Sequence, residues 1–209
     1  MLSPNDHILF FGDSITDAGR NYAALPGDPN GWGNGYAYQL SARLGADLAD
    51  YGLTFSNKGI SGNRVYDLES RLESDVLALQ PNLVSILIGI NDTWRRYDSG
   101  VISHTEEFAA SYRRILERLR AAETEVVILE PFLLPIPADR RGWREDLNPK
   151  IDAIRDLARE FEATYVPLDG IFAAAAARRE MGFWLPDGVH PSPSGHALIA
   201  EAWLNAVIG

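Results

Sequence analysis

The sequence contains no cysteine among its 209 residues, so disulfides and thiolate metal sites are excluded. It also lacks any apolar run close to the roughly 18 residues of a membrane-spanning helix. Its first residues have neither the basic lead nor the long apolar stretch of a secretory signal. We therefore expect a cytoplasmic protein with no stable membrane insertion. The length and the ordinary share of hydrophobic residues, 46%, predict a single domain over residues 1–209.

Positive charge is scarce as well. Nineteen Lys and Arg residues against 29 Asp and Glu residues give a formal net charge of -10. This balance works against binding a polyanion unless basic residues are gathered on one face. The densest basic group, Arg140, Arg141 and Arg144, is interpreted as a surface loop. The chain also lacks a Walker-type or G-x-G-x-x-G phosphate loop, and we predict no nucleic-acid partner.

Short apolar runs alternate along the chain with longer stretches of helical period. The strand candidates are residues 8–12, 53–57, 83–89, 125–132 and 164–168. Several are rich in Val, Ile, Leu and Phe with little alternation, which is typical of strands covered on both faces. Helical stretches cover residues 36–48, 65–80, 105–123 and 147–163, and Ser192 or Ser194 caps a last helix. The alternation predicts an α/β fold, a three-layer α/β/α sandwich with a mainly parallel sheet.

Polar residues and glycines follow the predicted strands, at the sheet edge where ligands bind in such folds. They are Asp13 and Ser14 after the first strand, Gly59 and Gly62 after the second, and Asn91 after the third, with Asp187 and His190 in a later turn. Taken singly, each is an ordinary turn or capping residue. Together they supply the parts of acyl transfer: a hydroxyl, a histidine base with its carboxylate, and donors for an oxyanion.

The same residues resemble the sequence blocks of the SGNH, or GDSL, hydrolases. "FGDSITDAG" is similar to the first block, "NKGISGNRVYDL" to the second, "IGIND" to the third and "DGVHP" to the last. The resemblance implies Ser14 as nucleophile, His190 as base and Asp187 as the orienting acid. It implies an oxyanion hole formed by the amides of Ser14 and Gly62 and the side chain of Asn91. It also implies a flavodoxin-like sheet of five parallel strands and chemistry that requires no metal and no organic cofactor.

Within this family the chain is most similar to the branch of bacterial acetylxylan esterases. That resemblance implies a small-molecule or oligosaccharide ester as substrate, with acetylated xylo-oligosaccharides as the first choice, and leaves a homo-oligomer open. A lysophospholipase or thioesterase and a general arylesterase are the alternatives within the same chemistry. The alternative without ester hydrolysis is a flavodoxin-like binding module that has no catalytic activity.

Four segments are expected to shape the pocket as loops: residues 23–35, 94–97, 133–137 and 183–184. Asp13, Trp94 and Trp184 are the candidates for substrate binding, because aromatic rings stack on sugars or hold short acyl groups. Packing or subunit contact explains the tryptophans equally well, and Asp13 also fits a helix cap. His196 is interpreted as an exposed residue at the start of the last helix.

Overall fold

The computed structural model describes residues 2–24 and 28–209. Over these ranges the chain forms five strands: β1 (His7–Gly12), β2 (Thr54–Gly59), β3 (Leu83–Leu87), β4 (Glu125–Leu129) and β5 (Thr164–Val166). All neighbouring strands pair in parallel, in the order β2-β1-β3-β4-β5. The predicted fold class is therefore confirmed. The third, fourth and fifth strands end earlier than predicted, because the chain leaves the sheet at Leu87, Leu129 and Val166.

The helices of the described residues are α1 (Ser14–Asp17), α2 (Tyr36–Asp47), α3 (Val65–Asp75), α4 (Ile90–Asp98), α5 (Thr105–Ala121), α6 (Arg144–Phe161), α7 (Leu168–Ala176), α8 (Met181–Trp184) and α9 (Pro193–Val207). Short 3-10 turns cover Pro29–Trp32, Ala49–Tyr51, Leu77–Leu79 and Ala138–Trp143. The Ser192 hydroxyl caps α9 by accepting the Gly195 N–H, which decides between the two predicted capping serines. Among these helices, none is both long and apolar enough to cross a membrane.

Strand β1 shows how the sheet is covered on both faces. Successive side chains of a strand point to opposite faces. Ile8 and Phe10 pack with α2, α7 and α9 in one core, whereas Leu9 and Phe11 pack with α3 and α5 in the other. Both sets are fully buried. This two-sided burial is the physical reason that the apolar strands do not alternate with polar residues.

The sheet changes its direction of growth at β1. Strand β2 lies on one side of β1, and β3, β4 and β5 follow on the other. In open α/β sheets such a switch point leaves a crevice at the carboxyl ends of the strands. The two strand ends approach closely here, since a Cβ added to Gly12 would lie 2.5 Å from the Leu87 carbonyl oxygen. Glycine at position 12 therefore lets the segments that follow β1 and β3 lie side by side.

Candidate active site

Ser14 lies at the first position of α1, directly after β1. Asp13 caps this short helix by accepting the Ile15 N–H at 3.0 Å. Every residue from 8 to 17 is buried except Ser14, which is partly exposed. The strand and the turn therefore present one hydroxyl at the surface of the switch-point crevice.

The base lies on a separate turn that precedes α9. The Asp187 Oδ1 accepts the N–H groups of Val189 and His190 at 3.0 and 2.7 Å. Its Oδ2 lies 2.7 Å from the His190 Nδ1, and the other ring nitrogen, Nε2, lies 3.0 Å from the Ser14 Oγ. Ser14, His190 and Asp187 thus form a continuous hydrogen-bonded chain, as the sequence predicts for the three residues.

The carboxylate and the imidazole shift each other's pKa. Burial raises the pKa of Asp187, but the hydrogen bonds from the His190 side chain and from the backbone N–H groups outweigh it, so the pKa lies well below its usual range. The hydrogen bond to Asp187 raises the pKa of His190, and burial opposes that rise. Asp187 is therefore ionised at neutral pH and orients the ring through Nδ1.

The segment after β2 is fixed to the serine helix by a carboxylate. The buried Asp17 accepts the Ser61 N–H at 3.1 Å and the Ser61 hydroxyl at 2.8 Å. Tyr22 also donates its hydroxyl to Asp17. Gly62, the next residue, is exposed and has a φ of 85°, which favours glycine. Asp17, a residue the sequence analysis did not single out, thereby holds the candidate Gly62 amide beside α1.

Asn91 lies in the first turn of α4, directly beyond β3. It is buried and donates its Nδ2 to the Asn63 carbonyl at 3.0 Å, so it contacts the segment that carries Gly62. Its neighbour Asp92 accepts the Val65 N–H at 3.1 Å and fixes the start of α3. Burial raises the pKa of Asp92 to about 7. These bonds bring the second and third sequence blocks together at one edge of the sheet.

Residues 94–97 belong to α4 and not to a loop, which corrects the sequence prediction. Ile90, Trp94 and Tyr97 recur at helical spacing, which indicates a helix. The sequence prediction missed this helix because it considered only longer stretches with helical periodicity. The Trp94 ring lies 5.8 Å from the His190 ring, and a second tryptophan, Trp143, packs against Trp94 at 5.3 Å. The Trp94 ring thus lines the site beside His190.

The other two candidates for substrate binding are placed differently. Asp13 is 0% exposed, and burial raises its pKa to about 7. It lies beneath the serine as the cap of α1, so its predicted contact with substrate is wrong. Trp184 lies in α8, which corrects the predicted loop at residues 183–184, and its indole donates to the Ala175 carbonyl at 3.0 Å. Its ring is therefore directed to α7.

Two of the predicted loops remain irregular in part. Residues 23–35 include the 3-10 turn Pro29–Trp32, while residues 25–27 lie outside the described part of the chain. Residues 133–137 do reach the histidine turn, since the Leu134 N–H donates to the Gly188 carbonyl at 2.9 Å. Gly188 has a φ of 82°, and a Cβ there would lie 2.6 Å from the Ile136 carbonyl oxygen. The segment thus positions the turn that carries the base.

His196 is buried and not exposed as predicted. Its Nδ1 accepts the Tyr36 N–H at 3.2 Å, and burial lowers its pKa to about 4. The prediction failed because the first turn of α9 faces α2, a tertiary contact that the local sequence does not show.

The basic group at residues 140–144 also differs from the predicted surface loop. It spans the 3-10 turn Ala138–Trp143 and the start of α6, and both Arg140 and Arg144 are half-buried. Arg144 binds Asp169, whereas Arg140 donates to the Asp187 carbonyl beside the histidine. Only Arg141 is exposed.

Comparison with known proteins identifies the class to which this arrangement belongs. Residues 10–198 match the GDSL-like Lipase/Acylhydrolase family, and the chain belongs to that family. It is a serine carboxylic ester hydrolase of the GDSL, or SGNH, type.

Particular relatives cover nearly the whole chain. An acetylxylan esterase of Geobacillus stearothermophilus is 31% identical over 99% of this chain and 95% of the relative. The solved structure of that organism's acetylxylan esterase Axe2 superposes with a TM-score of 0.88 at 31% identity, covering 98% of this chain and 94% of Axe2. A GDSL-like lipase of Parabacteroides merdae gives a TM-score of 0.94 at 34% identity, over 99% and 97% of the two chains. Solved structures of Axe2 include catalytic mutants with a serine or a histidine replaced by alanine.

Proposed function

We propose that this esterase removes acetyl groups from carbohydrate, with acetylated xylo-oligosaccharides as the substrate class, through an acyl-enzyme on Ser14. The observation that carries the proposal is the hydrogen-bonded chain in which the His190 ring lies 3.0 Å from the Ser14 Oγ and 2.7 Å from the Asp187 Oδ2. The relationship to an acetylxylan esterase at 31% identity supports the choice of substrate.

In the first step the Ser14 Oγ attacks the ester carbonyl carbon while the His190 Nε2 accepts the hydroxyl proton. The carbonyl electron pair moves to its oxygen and gives a tetrahedral oxyanion. The C–O bond to the sugar then breaks, and the His190 imidazolium gives its proton to the departing sugar oxygen, which leaves as a hydroxyl. Asp187 stays ionised throughout and stabilises the imidazolium.

In the second step water attacks the acyl carbon of the Ser14 ester. His190 accepts a proton from the water and then delivers it to the Ser14 Oγ as the acyl C–O bond breaks. The acid leaves, and the free hydroxyl is restored. Both steps need neutral His190 at their start, so the raised pKa of His190 moves the acid limit of activity to higher pH.

The oxyanion is stabilised by three donors: the N–H of Ser14, the N–H of Gly62 and the Nδ2 of Asn91. The positioning of this set is supported by Asp17, which holds the neighbour of Gly62, and by the Asn91 bond to Asn63. Donors fixed before the reaction need no reorganisation when charge develops, which is the source of their catalytic effect.

An open site favours a small acyl group on a large soluble alcohol. The His190 and Asp187 side chains are 45% and 41% exposed, so the reacting centre lies near the surface. A carbohydrate can approach such a centre, whereas a long acyl chain needs an extended apolar channel to leave water. Trp94 supplies a ring beside His190 for contact with a sugar or with the acetyl methyl group.

The decisive experiment measures acetate released from acetylated xylo-oligosaccharides and fatty acid released from a lysophospholipid, with Ser14→Ala as the blank. We expect acetate release, a preference for acetyl over longer acyl chains on p-nitrophenyl esters, and a loss of at least about 10³-fold in kcat for Ser14→Ala. Ser70→Ala on the exposed face of α3 is the matched control and should keep the wild-type rate.

Other results lead elsewhere. A preference for long acyl esters or acyl thioesters would replace the carbohydrate substrate with a lysophospholipid or thioester, and activity confined to aryl esters would make the chain a general arylesterase. Wild-type turnover in Ser14→Ala would overturn the mechanism itself.

A further inference from the structure

The turn that carries His190 lies outside the sheet, so contacts other than strand pairing must fix it. Two successive carbonyls of this turn accept hydrogen bonds from the segment between β4 and α6. The Leu134 N–H donates to the Gly188 carbonyl at 2.9 Å, and the Arg140 Nη1 donates to the Asp187 carbonyl. The first donor is backbone, whereas the second is a single side chain.

The Arg140 guanidinium is itself held by aromatic rings. It lies 4.5 Å from the centroid of the Trp94 ring and 4.7 Å from that of Trp143. Trp143 stacks on Tyr97 at 5.2 Å, and the Tyr97 hydroxyl donates to the Gly142 carbonyl at 3.0 Å. A planar guanidinium can lie on two rings and still donate along its edge, which an ammonium group cannot reproduce.

Arg140 also belongs to the set of charged groups around His190. Asp187 on the same turn and Asp13 beneath Ser14 raise the pKa of His190, and Arg140 from the 3-10 turn lowers it. From α9, the buried His196 also interacts with His190, and burial holds its own pKa near 4. The positive charge of Arg140 thus opposes the effect of the two carboxylates on the pKa of His190.

We propose that Arg140 is a positioning residue for the base: it fixes the Asp187–His190 turn through its hydrogen bond to the Asp187 carbonyl. The positioning role rests on the proposed function of His190, whereas a change in the surroundings of the His190 ring can be measured without turnover. Trp94 then serves two purposes, since its ring supports the guanidinium of Arg140 and also contacts the His190 ring.

The test compares Arg140→Met with Arg141→Met, which removes the same charge from the exposed neighbouring position. We expect Arg140→Met to raise the pKa of His190, because the nearby positive charge is lost, and the NMR titration of the His190 Cε1–H reads this shift. The protein has four histidines, and His190→Gln assigns the signal. The acid limb of kcat/KM should move to higher pH by the same amount, and kcat on the alkaline side of the limb should fall by about 3- to 30-fold. Arg141→Met should do neither.

Arg140→Lys separates charge from geometry. It retains the cation, so the titration should return toward wild type, but it lacks the planar fork, so kcat should remain reduced. Thermal unfolding of each variant shows that folded protein is compared, and Arg140→Lys serves as the test if Arg140→Met does not fold.

Equal titrations and equal kcat in the Arg140 variants and Arg141→Met would overturn the proposal. Failure of the proposed function looks different, because wild type would then lack esterase turnover while the His190 titration could still respond to Arg140.

Discussion

The serine half and the histidine half of the site are anchored by different kinds of contact. On the serine side, the anchors lie within the motifs: Asp13 caps α1, and Asp17, three residues beyond Ser14, binds Ser61. On the histidine side, the turn has its own internal bonds, and it is attached to the rest of the molecule by hydrogen bonds from Leu134 and Arg140 and by the buried Val189. Buried carboxylates therefore fix the nucleophile, whereas the base depends on carbonyl contacts made by a distant segment.

Among the substitutions that test this comparison without removing a triad residue, Asn91→Ala on the serine side is expected to have the largest effect. Removing one oxyanion donor should lower kcat by roughly 10²- to 10³-fold with a small change in KM, because the lost bond forms fully only in the transition state. Steady-state kinetics on p-nitrophenyl acetate measure both constants. Asn148→Ala, on the exposed side of α6, is the control. An unchanged kcat for Asn91→Ala would remove this residue from the oxyanion hole.

On the histidine side, Gly188→Ala should lower kcat by about 10- to 100-fold, because the turn must shift and displace the imidazole. The φ of 82° strains any side chain, and the new Cβ would lie 2.6 Å from the Ile136 carbonyl oxygen. Gly170→Ala is the matched control, since a Cβ in that position of α7 meets nothing within 4 Å. Kinetics and thermal unfolding of the pair show whether the damage is local. Equal behaviour of the two variants would mean that the turn is less firmly attached than the comparison implies.

Asp17→Asn tests the anchor of the serine side with a smaller change. An amide keeps the size of the carboxylate but donates where Ser61 needs acceptors, so the Gly62 amide should lose its position and kcat should fall by roughly 5- to 20-fold. Asp156→Asn, in an exposed pair with Arg159, is the control. Rescue of kcat is not expected from salt, since Asp17 is buried. A fall in thermal stability with unchanged kcat would make Asp17 a purely structural residue.

The smallest expected effect is the position of the acid limb of the pH profile. The hydrogen bond to Asp187 raises the pKa of His190 above its ordinary 6.5, so the imidazole stays protonated to a higher pH and cannot accept the Ser14 proton there. Activity should therefore reach half of its maximum at a pH above 6.5 and decline as the pH falls. His104→Gln, at an exposed position, should leave the limb in place. A limb below 6.5 would contradict the pairing with Asp187.

The sequence predicts the sheet well because its strands are buried on both faces and read as apolar runs. Strand ends and strand order also predict that Ser14 and Asn91 follow two strands of the sheet, and those strands, β1 and β3, are neighbours. The sequence does not predict α4, because the polar residues of this helix that belong to the site interrupt the amphipathic pattern. It also predicts His196 as exposed, whereas a contact with Tyr36 buries it. The single-domain organisation and the homo-oligomer stay predictions.

Asp17 and Arg140, which support the site, differ in whether the sequence could have predicted their roles. Asp17 lies inside the first motif, so its position three residues from Ser14 was a usable signal. Arg140 is 47 residues from Asp187, and its place in a basic group indicated only a surface loop. Its role depends on where Trp94 and Trp143 pack, and side-chain packing of that kind is set by the folded structure.

The bond between Ser14 and His190 joins residues 176 positions apart. The parallel sheet can form before this contact exists, because the histidine turn is attached to segment 133–140 and not to a strand. Closing so long a loop is slow relative to local structure. Recovery of esterase activity after dilution from denaturant should therefore be slower than recovery of the sheet. The enzyme's own turnover then reports when the histidine turn docks against Ser14.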